Sequence, residues 1–157
     1  MRLQEKVLER RVVYAGNYLT TYLYVVRLPD GTTATRDIVR PPDAVAVVPL
    51  DDAGNIYLVR QYRPALGRVL YELPAGRPNA GETPAACAAR ELREETGCVA
   101  EHLEPIVSGY TTPGFTDEKL HLFVAYGITR HETEFDADEF VEPFPVSGPP
   151  VAIFIAP

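Results

Sequence analysis

Residues 76–98 read GRPNAGETPAACAARELREETGC. Gly76, Glu82, Arg90, Glu91, Glu94, Glu95 and Gly97 stand at fixed separations in this run, with Leu92 and Cys98 as its apolar positions. Local chemistry predicts a helix over Pro84–Thr96. Thr83 suits the N-cap, and Pro84 suits the first helical position, where its missing N–H is harmless. Ala85, Ala86, Ala88 and Ala89 are strong helix formers, and Gly97 is a natural C-terminal stop. On a 3.6-residue period Ala85, Ala89, Leu92 and Thr96 share one stripe, which is expected to pack on the body. Glu91 and Glu95 are i,i+4 neighbours, and Glu94 follows Glu91 by three, so the acids gather on a different line. Like charges so close repel unless a cation sits among them. A cluster of carboxylate oxygens suits a hard divalent ion such as Mg²⁺ or Mn²⁺, which also binds phosphates. Arg90 is placed to pair with Glu94 one turn on.

A glutamate-rich helix turn is ordinarily a solvated face. The complete spacing argues otherwise. Each fixed position has a background frequency of about 5–10%, so a chance match at a given start is on the order of one in a hundred million. The pattern matches G-x5-E-x7-R-E-U-x-E-E-x-G-U, with U apolar, and the chain resembles a Nudix hydrolase. The resemblance covers about residues 10–143. It implies a Nudix α/β/α sandwich with a mixed β-sheet, preceded by an extra amino-terminal β-hairpin. It also implies metal-dependent hydrolysis of a nucleoside diphosphate joined to a second group.

Composition bounds the reading. The chain has 157 residues, enough for a buried core, and 46% of them are hydrophobic. Fifteen Lys and Arg against 22 Asp and Glu leave a net charge of −7, which argues against sequence-independent nucleic-acid binding. A divalent metal can still reverse the local field for an anionic small molecule. No apolar run approaches a membrane span, and the charged start MRLQEKVLERR lacks the apolar stretch of a signal peptide. A cytoplasmic protein is expected. Cys87 and Cys98 read as small buried residues rather than a disulfide.

Strands are predicted over Thr20–Leu28 and Thr33–Val39, joined by the turn Pro29-Asp30-Gly31. The run AVAVVPL at Ala44–Leu50 reads as a strand buried on both faces. Further strands are expected at Ile56–Tyr62, Ile106–Tyr110 and Leu120–Tyr126, with Leu70–Pro74 leading into the Gly76 loop. The domain reading is an amino-terminal hairpin over residues 1–42 and a hydrolase domain over 43–157. The last residues, PFPVSGPPVAIFIAP, hold too many prolines for a long helix, whereas members of the family usually finish with one.

Three further stretches resemble the ADP-ribose pyrophosphatase subfamily: Arg60-Gln61-Tyr62-Arg63-Pro64 ahead of Glu72-Leu73-Pro74-Ala75-Gly76, Pro113 with Gly114-Phe115-Thr116-Asp117-Glu118, and the acidic stretch Asp136–Glu139. The resemblance implies residue roles. Glu91, Glu94, Glu95 and the backbone carbonyl of Ala75 would hold Mg²⁺, with Mn²⁺ as the substitute. Glu94 or Glu139 would be the general base. The family often carries two glutamates two residues apart at that loop; here the first position is Ala137 and the second Glu139. Arg63 would grip the diphosphate, Glu118 the second ribose, Phe115 the sugar, and Arg36 the nucleotide across a homodimer whose interface uses the hairpin. Tyr22, Tyr24 and Tyr62 are candidates to stack on adenine. The rival readings are a Nudix enzyme for a nucleotide sugar such as GDP-mannose, and a non-catalytic ligand sensor that kept the fold.

Overall fold

The computed structural model describes residues 3–133 and 140–147. The chain divides into two compact units, Met1–Asp43 with Gly109–Lys119, and Ala44–Ser108 with Leu120–Pro157. The first unit thus takes in a later loop as well as the amino-terminal segment.

The first unit is built on an antiparallel sheet of β1 (Lys6–Ala15), β2 (Thr20–Arg27) and β3 (Thr33–Arg40), in that order. The predicted hairpin is present as β2 and β3. Its β-branched and aromatic residues favour the pleat, and Asp30 fixes the turn by accepting the Thr32 N–H at 2.9 Å. The charged start of the chain adds a strand that its sequence did not announce. β1 is exposed along its ten residues, Val12, Val13 and Tyr14 included. On β2, by contrast, Tyr24 and Val26 are buried.

The second unit holds two sheets. One runs β7 (Ala75–Gly76), β4 (Ala44–Pro49), β9 (Lys119–Arg130), β8 (Cys98–Tyr110), and the other runs β10 (Val141–Ser147), β5 (Asn55–Arg63), β6 (Arg68–Glu72). β4 pairs parallel with β9 and antiparallel with β7, so the sheet is mixed, as expected. The proline-rich end reads only as too rich in proline for a long helix, so β10 was not predicted. It is an edge strand, and prolines two apart both face away from β5, where no N–H is needed.

One helix, α1 (Pro84–Thr96), stands among the described residues. Its ends are the predicted ones. Thr83 Oγ1 accepts the Ala86 N–H at 3.2 Å. Gly97 adopts φ 67°, a left-handed turn that suits glycine, and returns its N–H to Arg93. The buried face differs from the predicted stripe. Ala85 and Ala89 are exposed, and Cys87, Ala88, Glu91, Leu92, Glu95 and Thr96 point inward. Four nearly equivalent alanines carry no information about which line faces the body; Cys87 and Leu92 decide it. They pack with Val45, Val47, Tyr57, Ala88, Cys98, Phe123 and Ala125 into one apolar core. Both cysteines are free and buried, and desolvation pushes the Cys87 thiol up to about 12. No helix of the described residues is long and apolar enough to cross a membrane.

Candidate active site

The inward turn of α1 carries Glu91 and Glu95 against the loop before it. Glu95 is 3% exposed, and its Oε2 accepts the Ala75 N–H at 2.9 Å. Glu91 is 8% exposed and lies over Gly76. A Cβ at Gly76 would stand 1.9 Å from Glu91 Oε1, so only glycine admits the carboxylate there. This is the physical content of the glycine that opens the pattern.

Arg90 is the hub of the acidic turn. Nε donates to Glu82 Oε1 at 3.0 Å and Nη2 to Glu82 Oε2 at 2.9 Å. Nη1 donates to Glu91 at 2.8 Å and to Glu94 at 2.9 Å. Nη2 also reaches the Arg77 carbonyl at 3.1 Å. The pair with Glu94 was expected; the links to Glu82 and Glu91 lie beyond i,i+4 reasoning, because Glu82 comes back through the loop. Its Oε2 also accepts the Asn79 N–H at 2.8 Å. Hydrogen bonds from Arg90, then from Asn79, hold Glu82 down at about 2. The same carboxylates, Glu82 first, strengthen Arg90's hold on its proton.

Among the described residues, no three carboxylates, imidazoles or thiolates converge on a point ready to hold an ion; the acids converge on Arg90 instead. The donor chemistry nonetheless fits a hard divalent cation. Glu91 and Glu95 are carboxylates on adjacent turns, set against the backbone of Ala75 and Gly76. Clustered carboxylates need compensation, and Arg90 brings one positive charge to three of them, of which Glu91 is buried.

Arg63 closes β5 and turns its fork onto Glu72 of β6, with Nε to Oε1 at 2.9 Å and Nη2 to Oε2 at 2.5 Å. Gln61 donates to the same carboxylate at 3.3 Å. Glu72 is therefore a partner the sequence reading missed: register Val59↔Glu72 brings it within reach, and spacing along the chain does not show that.

The remaining candidates lie in the first unit. The Pro113 turn is closed by Phe115 and Thr116 N–H groups on the Thr112 carbonyl, and β3 anchors it through Val39 N–H to the Phe115 carbonyl at 2.8 Å. Phe115 itself is exposed. Glu118 Oε2 accepts Thr111 Oγ1–H at 2.8 Å. Arg36 reaches Glu5 at 2.5 Å and the Thr35 carbonyl at 2.9 Å. Glu139 lies outside the described residues, as does the acidic stretch around it.

Residues 40–147, which hold the Gly76 loop and α1, match the NUDIX domain. The chain belongs to the Nudix family. It is 42% identical over 142 residues to an ADP-ribose pyrophosphatase of Bacillus subtilis (strain 168), covering 89% of this chain and 77% of that one. It is 41% identical over 141 residues to a methanol dehydrogenase activator of Bacillus methanolicus, covering 88% and 76%. An ADP-ribose pyrophosphatase of Mycobacterium tuberculosis is 49% identical over 104 residues, 66% of this chain and 50% of that one. Among solved structures, an ADP compounds hydrolase superposes with a TM-score of 0.82 at 24% identity, over 91% of this chain and 78% of the other, and shows the shared Nudix fold.

Proposed function

We propose that the chain hydrolyses the diphosphate of ADP-ribose to AMP and ribose 5-phosphate. The observation that carries this reading is the Glu91–Gly76 and Glu95–Ala75 pair of contacts. They put two buried carboxylates on a backbone loop, the arrangement a diphosphate–metal substrate needs. Similarity to two ADP-ribose pyrophosphatases narrows the substrate.

Glu91, Glu94, Glu95 and the Ala75 carbonyl would hold Mg²⁺. Bound there, it would neutralise the diphosphate and make water more acidic. Glu95 holds the Pro74–Ala75 peptide through the Ala75 N–H, at the start of the loop whose next carbonyl is that of Ala75. Arg90 keeps Glu91 and Glu94 in place. Glu94 or Glu139 accepts a proton from the attacking water. Arg63 exchanges Glu72 for phosphate oxygens, matching a planar fork to an anion. The resemblance would further give Glu118 a ribose contact, Phe115 a sugar contact and Arg36 a nucleotide contact.

The rival readings are a Nudix enzyme for a nucleotide sugar and a non-catalytic ligand sensor. A panel of ADP-ribose, nucleotide sugars, dinucleoside polyphosphates and NADH, each with Mg²⁺ or Mn²⁺, separates the readings. ADP-ribose is expected to give the highest kcat/KM. A tenfold preference for a hexose-linked nucleotide would remove ADP-ribose and leave the Nudix chemistry; turnover of none would leave a ligand sensor.

A further inference from the structure

The hairpin of β5 and β6 ends on two arginines set opposite each other. Register pairs Arg63 with Arg68, Gln61 with Leu70 and Val59 with Glu72. Residues paired across neighbouring strands share a face, and two-residue alternation keeps all three pairs on the same side. The contacts agree, because Arg63 and Gln61 both donate to Glu72. The turn holds this register. The Leu66 and Gly67 N–H groups close it on the Arg63 carbonyl at 3.0 and 2.9 Å, and Gly67 takes a φ of 66° that glycine favours.

Like charges directly opposite each other in a sheet cost stability. One carboxylate, Glu72, serves this end of the face, and the Arg63 fork takes both of its oxygens, Oε1 at 2.9 Å and Oε2 at 2.5 Å. Arg68 is exposed, and among the described residues its side chain has no carboxylate or hydrogen-bond partner. Two positive charges thus stand against one negative charge, in a chain whose net charge is −7. A dianionic group between the arginines would remove the repulsion and give both guanidinium groups oxygens to bind. The pair is also close to the Gly76 loop. Glu72 stands three residues before Ala75, so at most about 10 Å of chain separates them.

We propose that Arg68 is a further substrate-binding residue, which with Arg63 forms a two-arginine clamp on the diphosphate. The inference rests on the diphosphate reading of the Arg63 site. The test compares Arg68→Gln and Arg68→Lys with the wild type, by steady-state rates on ADP-ribose with Mg²⁺ and by melting curves with and without inorganic pyrophosphate. Arg68→Gln is expected to lower kcat/KM about three- to thirtyfold, the range for an exposed charge-assisted contact, and to do so mainly by raising KM. Arg68→Lys keeps the charge and is expected to recover most of that loss. Without ligand, the glutamine variant is expected to melt at the wild-type temperature or about one degree above it, because the repulsion is relieved. Pyrophosphate is expected to raise the melting temperature of the wild type more than that of Arg68→Gln. Wild-type kcat/KM in Arg68→Gln overturns the proposal. So does a lysine variant as impaired as the glutamine one, or a glutamine variant that melts well below the wild type, the mark of a residue that serves the hairpin rather than the substrate. If the wild type hydrolyses no diphosphate yet pyrophosphate stabilises it more than Arg68→Gln, the clamp stands and the hydrolysis reading fails. If pyrophosphate shifts both proteins equally, the clamp fails whatever the substrate.

Discussion

The Glu91 carboxylate occupies the space where a side chain at residue 76 would begin, 1.9 Å from the position of a Cβ there. Real contacts to Cβ are never that close, and Glu91 is held from behind by Arg90 at 2.8 Å. Gly76→Ala is therefore expected to push the carboxylate off its place. Activity should fall about a hundredfold or more, as for a misplaced catalytic group, with a melting temperature lower by several degrees. Steady-state rates and a melting curve check both. Wild-type turnover in Gly76→Ala would show that Glu91 does not need this position.

Glu91→Gln removes charge and keeps shape. The fold should persist, because the side chain closes no apolar contact of the core. Turnover should drop by roughly a hundred- to a thousandfold if the oxygen holds a metal worth several kcal/mol to the transition state. Mg²⁺ should raise the melting temperature of the wild type more than that of the variant. Near-normal activity in a folded Glu91→Gln protein would sink the ligand assignment.

Arg90 couples stability to pH through Glu82. The carboxyl sits at about 2 in the folded chain, against an ordinary 4.5, with Arg90 as the first cause. A depressed carboxylate contributes stability that is complete above the unfolded value and is lost as pH falls through the folded one. The wild-type melting temperature should thus decline between about pH 4.5 and 2 with a Glu82 component. Arg90→Met should flatten that component, and should lower activity by loosening Glu91 and Glu94. Parallel pH curves for the two proteins would contradict the coupling.

Arg63→Ala should reduce kcat/KM for the best substrate by roughly ten- to a hundredfold, the loss of a charge-assisted hydrogen bond at about 1.5–3 kcal/mol. Glu72→Gln gives the opposite control: it weakens the resting pair at 2.5 Å and leaves the fork available. An unchanged kcat/KM in Arg63→Ala would assign the arginine to sheet pairing alone.

A homodimer is the expected state in solution. The motive is β1, a strand of ten residues exposed throughout, with Val12 and Val13 both over half exposed. Exposed apolar strand edges invite a partner. Light scattering at micromolar concentration should give twice the chain mass, and Val12→Lys with Val13→Lys should give one. A wild-type monomer would contradict the idea and withdraw Arg36 from any role across an interface.

Sequence alone determined α1, its two caps and the acidic pattern, because these depend on neighbours within one or two turns. It also determined the Nudix family, since seven fixed positions in one run leave little room for accident. It could not determine which face of α1 turns inward: alanines at four positions are interchangeable to periodicity, and only packing around Cys87 and Leu92 ranks them. It excluded a long helix at the proline-rich end but did not foresee β10, because tolerance of Pro143 and Pro145 depends on lying at a sheet edge, a fact of assembly. It paired Arg90 with Glu94 but not with Glu82, and gave Arg63 no partner, because loop closure and strand register bring those carboxylates in. Local interactions are written in chain order, whereas strand order and register are fixed by the burial of the whole core.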